Sequence, residues 1–173
     1  KWIFSRLNNT IMEVNRRINK FQFNEAVKVI YDFTWNDYCD WMIEVSKISL
    51  YGEDEKRKRC LQTVTVSVLR QILCLLHPFV PFITEELWHH FKIEAEDDII
   101  LTKWLECDEN KINVEAENTM TLLQDIITSV RSVRSRMGVL PSKKADLIIR
   151  TEDGELCEIY KHIIQFLGGV GSI

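Results

Sequence analysis

The stretch LHPFVPFITEELWHHF, Leu76 to Phe91, decides how the rest of the chain is read. It sets Pro78 and Pro81 between flanks that both read as helix, and it closes on two adjacent histidines, His89 and His90. Proline lacks a backbone donor and clashes with the preceding turn, so the pair must stop any helix passing through. The stretch is therefore a corner of a helical scaffold or a catalytic or metal-bearing loop. Adjacent histidines on a helix point about 100° apart and cannot grip one ion together. The corner reading follows. Thr84 then caps a short helix with Glu85 and Glu86 in its first turn, and Phe79, Phe82, Leu87 and Trp88 pack the corner onto a bundle.

Outward from the corner the chain keeps a helical period. Ile3, Leu7, Ile11, Val14, Ile18 and Phe21 form one apolar stripe, opposite Arg6, Asn9, Glu13, Arg16, Arg17 and Lys20. Asn24 is placed to cap a second helix with Val27, Tyr31, Thr34, Tyr38, Met42 and Val45 on one face, ended by Gly52. The third carries Leu61, Val64, Val68, Ile72 and Leu75 into Pro78, and its opening EDEKRKR pairs Glu53 with Arg57, Asp54 with Lys58 and Glu55 with Arg59. Residues 92–112 are acidic and aperiodic, a surface excursion anchored by Trp104. A fourth helix from Val114 to Met137 turns Met120, Leu123, Ile127, Val130 and Val133 inward and stops at Gly138 and Pro141. Beyond it, residues 145–150 read as a strand that pairs with Val170 to Ile173 or lacks part of its sheet, 151–155 as a turn, and 156–167 as an amphipathic helix. The expected fold is mainly α: an antiparallel bundle of about four to five helices over residues 1–140, then a small, incomplete α/β appendage at 141–173.

Composition agrees. In 173 residues, 46% hydrophobic and 28% charged with three prolines, the chain suits a helix-rich globule and not a disordered one. Five scattered cysteines without a Cys-x-x-Cys pair fit a reducing, cytoplasmic compartment and argue against structural zinc. No apolar run approaches the ~20 residues of a bilayer span. The opening KWIFSRLNNT has no secretory pattern and no initiator methionine, as expected of a piece of a longer protein.

Reactive constellations are absent from the sequence. No nucleophile stands with a base, His77 reads as a helix-terminal residue, and Gly168, Gly169 and Gly171 follow a helix where a phosphate loop precedes one. The net charge of −4 conceals local bases. Arg131, Arg134, Arg136, Lys143 and Lys144 have few acids nearby and suit phosphate contact. Trp2 with Arg6, Asn9, Arg16, Arg17 and Lys20 combines a stacking ring, an amide and cations, the means of reading unstacked RNA bases; a solvated helix face is the plainer alternative.

Four segments in order, KWIFSRLN, FQFNEAVKVIYDFTWNDYCDWMIEVSK, LLHPFVPFITEELWHHF and SVRSVRSRMGVLPSKKADL, resemble the anticodon-binding region of valyl-tRNA synthetases over about residues 1–150. The first and third have looser counterparts in the isoleucine and leucine enzymes. The resemblance implies a class I parent that joins valine to tRNA through a valyl-adenylate, using ATP and Mg in an upstream catalytic domain, with an editing domain and a C-terminal coiled coil. The His-Ile-Gly-His and Lys-Met-Ser-Lys-Ser signatures are not in this stretch, so it holds no catalytic, cofactor-binding or metal residue of its own. Its expected partners are valine tRNA, whose middle A and third C identify it, and the rest of its own chain, with no membrane. The expected RNA contacts are Trp2, Arg6, Asn9, Arg16, Arg17, Lys20, Arg70, Arg131, Arg134, Lys143 and Lys144. A helical protein-docking module is the competing class.

Overall fold

The computed structural model describes residues 1–91, 98–140, 142–150 and 154–173. It divides into two compact units, Lys1–Val114 and Glu115–Ile173. The change of sequence character at 141 falls inside the second.

The first unit is a helical bundle. Helix α1 spans Trp2–Ile18 and α2 Phe23–Asp32; α2 continues without a break as a π-helical segment, Phe33–Ile43, and then as α3, Glu44–Leu50. Helix α4, Glu55–Leu76, packs against α1, α2, the π-helical segment and α3. The stripe read on α1 is the core, with Leu7, Ile11 and Val14 buried, and Val68, Ile72 and Leu75 face it from α4. Phe21 leaves the stripe: α1 ends at Ile18, and Phe21 takes a left-handed turn at φ 57°, 81% exposed. Asn24 is not the cap of α2 either, since that helix starts at Phe23. Arg17 fastens this turn, bonding Glu13, Gln22 and Glu25.

The second stripe is shifted by the π-helix. Its wider i→i+5 bonding separates the buried residues Phe33, Tyr38 and Met42 by five and four. Counting back from Tyr38 at an α-period reaches Thr34, Tyr31 and Val27. The π step reaches Phe33, and behind it the buried residues are Ile30 and Ala26. Tyr31 is instead 60% exposed and stacks on Trp35, ring centroids 6.4 Å apart. The Tyr38 hydroxyl donates to the Thr65 carbonyl at 3.1 Å and fastens the segment to α4; burial pushes its pKa up to about 12.

At the start of α4 the expected i,i+4 pairs give way to a cap. The helix begins at Glu55, and Asp54 accepts the Arg57 N–H at 3.0 Å. At its end the prolines do stop it. Leu76 is its last residue with His77 as the C-cap, and Pro81 opens α5, Pro81–Phe91, where its missing donor costs nothing. Thr84 therefore lies inside the first turn. Its buried hydroxyl shares a bond with the Val80 and Pro81 carbonyls (2.9 and 3.0 Å) and meets Nδ1 of His77 at 2.9 Å, a brace across the corner. Trp88 is buried with Leu73 and Ile99, and Phe79 is partly buried, but Phe82 is 91% exposed and Leu87 also faces outward.

Of the excursion after α5, residues 92–97 lie outside the described ones. The rest is strapped along α1 by polar side chains. Trp104 Nε1 donates to Asn15 Oδ1 (2.7 Å), Asn15 donates to the Leu105 carbonyl (3.0 Å), Asn8 accepts from Asp108 N–H (2.8 Å), and Ser5 accepts from Asn113 N–H (2.8 Å). Pairing with the strap explains why Ser5 and Asn8 are buried despite being polar.

In the second unit, α6 spans Val114–Arg136 with Met120, Leu123 and Ile127 buried and Val133 exposed. Gly138, at φ 64°, ends it as a left-handed cap whose next amide, Val139 N–H, bonds the Arg134 carbonyl; Pro141 lies outside the described residues. The α/β reading of the appendage is not what forms. Among the described residues there is no strand, only an isolated parallel bridge, Ala145 to Val170, with Leu147 N–H donating to Ser172 at 3.0 Å. Two short segments without a third partner cannot extend a sheet. The single helix expected at 156–167 is broken at Tyr160 into α7, Gly154–Ile159, and α8, Lys161–Gly168; residues 151–153 of the expected turn lie outside the described ones.

Helix α4 is, by length and composition alone, long and apolar enough to cross a membrane, although Gln62, Arg70 and Gln71 interrupt its apolar pattern.

Candidate nucleic-acid interface

Helical spacing sets Trp2, Arg6 and Asn9 in one row on α1. Trp2 is half-buried, its ring packed on the edge of the core. Arg6 donates from Nε to Asp37 Oδ2 at 3.1 Å, and Asp37 is the more sheltered of the two. The π-helical segment supplies that carboxylate, which the sequence reading did not anticipate because an α-period gives Asp37 no special place. Asn9 is half-buried beside them.

The cations farther along α1 are committed within the chain. Arg16 grips Glu13 through two nitrogens, at 2.6 and 2.7 Å, and Arg17 reaches the same carboxylate at 2.6 Å. Hydrogen bonds from Arg16 and then Arg17 hold the Glu13 carboxyl down at about 2. Lys20 is exposed. The Arg70 guanidinium carbon sits over the Trp88 ring, 4.5 Å from its centroid, on the wall of a groove of about 940 Å³ that also includes Thr63, Ser67 and Lys103.

In the second unit, Arg131 donates to the Leu167 carbonyl at 2.8 Å, and Arg134 donates to those of Leu140 and Lys143 at 3.1 and 2.7 Å. These guanidinium groups brace the turn after α6 and the end of α8. Lys143 and Lys144 are exposed. Of the RNA-contact residues expected from sequence, Trp2, Arg6 and Asn9 thus stand together, Lys20, Lys143 and Lys144 are open ammonium groups, and Arg16, Arg17, Arg70, Arg131 and Arg134 hold the protein's own structure. A carboxylate three or four residues before Arg16 and Arg17 was the available signal for two of them.

A flat ring, a clamped guanidinium and an amide on one half-buried helix row can stack a base and donate to its edge or to a phosphate. The family described as the anticodon-binding domain of tRNA ligases matches residues 1–149. The chain is 42% identical over 158 residues to the valine–tRNA ligase of Bacillus licheniformis, covering 91% of this chain and 18% of the relative. It is 44% identical over 153 residues to that of Bacillus cereus (88% and 17%) and 40% identical over 156 residues to that of Bacillus subtilis (90% and 18%). It therefore spans less than a fifth of the length of these relatives.

Proposed function

Because the chain belongs to the anticodon-binding domain family of tRNA ligases, we propose that it is the part of a valine–tRNA ligase that holds the anticodon stem and loop of valine tRNA. Identity of 40–44% over about nine-tenths of the chain to proteins named valine–tRNA ligase is the observation that carries this reading. In it, the parent enzyme works in the cytoplasm and spends ATP with Mg²⁺ in a catalytic domain elsewhere in the longer polypeptide, while this domain presents the tRNA. Trp2 stacks on a loop base, Arg6 is aimed by Asp37, and Asn9 meets a base edge or sugar. Lys20, Lys143 and Lys144 meet phosphates.

The experiment is a salt series of binding by this chain to valine tRNA, isoleucine tRNA and a valine tRNA altered at its middle anticodon base. Affinity for valine tRNA should be highest, and log K should fall against log salt by roughly 0.7–0.9 per phosphate neutralised. Trp2→Ala should cost ~1–3 kcal/mol. A chain with no salt-sensitive preference among the three RNAs is a protein-docking module and not an anticodon reader.

A further inference from the structure

We propose that Glu85, His89 and Asp98 form a binding site for one divalent transition-metal ion, zinc or cobalt, tying the end of α5 to the turn at Ile99. Nε2 of His89 lies 3.5 Å from Oε1 of Glu85 and 3.5 Å from Oδ1 of Asp98. All three donor atoms are within 4.8 Å of one another. A triangle with those edges has a point about 2.0–2.4 Å from each corner, within a few tenths of an ångström of zinc–nitrogen and zinc–oxygen bonds.

The donors are also held in place. Glu85 and His89 are one helical turn apart on α5. Asp98 comes from beyond the helix, next to Ile99, which is buried against Trp88 and Leu73. The Ile99 N–H donates to Oε1 of Glu85 at 3.1 Å, orienting that carboxylate and leaving it acceptor capacity for a metal. One imidazole nitrogen and two carboxylate oxygens suit zinc, cobalt, nickel or manganese and not the softer Cu(I). Three protein ligands leave the remaining positions to water. The pair His89 and His90, which sequence alone brings to mind, is not the ligand set. Nε2 of His90 is 3.9 Å from Glu86, on another side of the helix.

The ordinary alternative is a surface contact between the His89 imidazole and the two carboxylates with no ion between them. The two are separated by titrating this chain with Co²⁺, followed by visible absorption, and with Zn²⁺, followed by calorimetry, for the natural sequence and for His89→Gln, Asp98→Asn and His90→Gln. The expected result is one ion per chain, with affinity reduced at least about tenfold in H89Q and D98N and unchanged in H90Q. His89 and Asp98 are exposed, so both variants should retain the parent's far-ultraviolet dichroism. Absence of saturable one-to-one binding, equal affinity in H89Q, or a cobalt–thiolate band placing the ion on a cysteine such as the exposed Cys60 overturns the proposal.

Discussion

Replacing Asp37 with asparagine separates two accounts of the Arg6 guanidinium. The pair is joined at 3.1 Å, with the Asp37 side chain 13% exposed and that of Arg6 40% exposed. A hydrogen bond to a charged group contributes ~1.5–3 kcal/mol when sheltered, and an ion pair in open solvent ~0.2–1 kcal/mol. An intermediate setting places the coupling at about 1 kcal/mol. A double-mutant cycle of Arg6→Met, Asp37→Asn and the combination, by urea unfolding at constant m-value, measures it. Binding of the anticodon stem-loop supplies the second readout, and its sign is informative. Removing a negative charge near a polyanion should strengthen binding on electrostatics alone. If Asp37 aims Arg6, the same substitution should weaken binding by about fivefold, the equivalent of 1 kcal/mol. Unchanged or tighter binding in D37N, or a coupling indistinguishable from zero, refutes the positioning account.

Trp88→Ala removes a buried ring from against Leu73, Ile99 and Arg70, and should cost ~3–5 kcal/mol in urea unfolding. Phe21→Gly relieves a left-handed turn occupied by an exposed aromatic residue and should stabilise by about 1 kcal/mol, seen as a higher urea midpoint. Glu13 has a folded pKa of about 2 against an ordinary 4.5, so its stabilising effect is complete above about 4.5 and disappears as pH falls toward 2. Glu13→Gln should accordingly flatten the loss of stability between those pH values without altering the slope above them.

The α1 and α4 stripes were legible because each is a regular α-helix with one face in the core. Where the chain departs from that period, reading by period failed. At Phe33–Tyr38 a five-residue step moved the buried face from Thr34 and Tyr31 to Phe33 and Ile30, and nothing in the residue types marks such a step. Nothing in the sequence marks Asn8 and Ser5 for burial, since their partners Asp108 and Asn113 are about a hundred residues away. The basic residues were found, but their partners were not. A backbone carbonyl such as that of Leu167, which occupies Arg131, leaves no trace in composition. The segment at 145–150 has a strand's residues, and only the tertiary partner it pairs with, a single short run at Val170–Ser172, limits it to a bridge.

The π-helical segment can be viewed as an α-helix with one residue too many. Delete a residue between Phe33 and Tyr38, and the buried positions Ile30, Phe33, Tyr38, Met42 and Ser46 fall at steps of three, four, four and four, the rhythm of uninterrupted α-helix. The core therefore has no need of the surplus. Its effect is on the outer arc, where four side chains, Thr34 to Asp37, occupy a span that would otherwise display three, and the last of them is the one that reaches Arg6. Interior packing and the aim of an arginine on a neighbouring helix are thereby set by separate variables. A one-residue deletion should preserve the bundle while undoing the Arg6 contact.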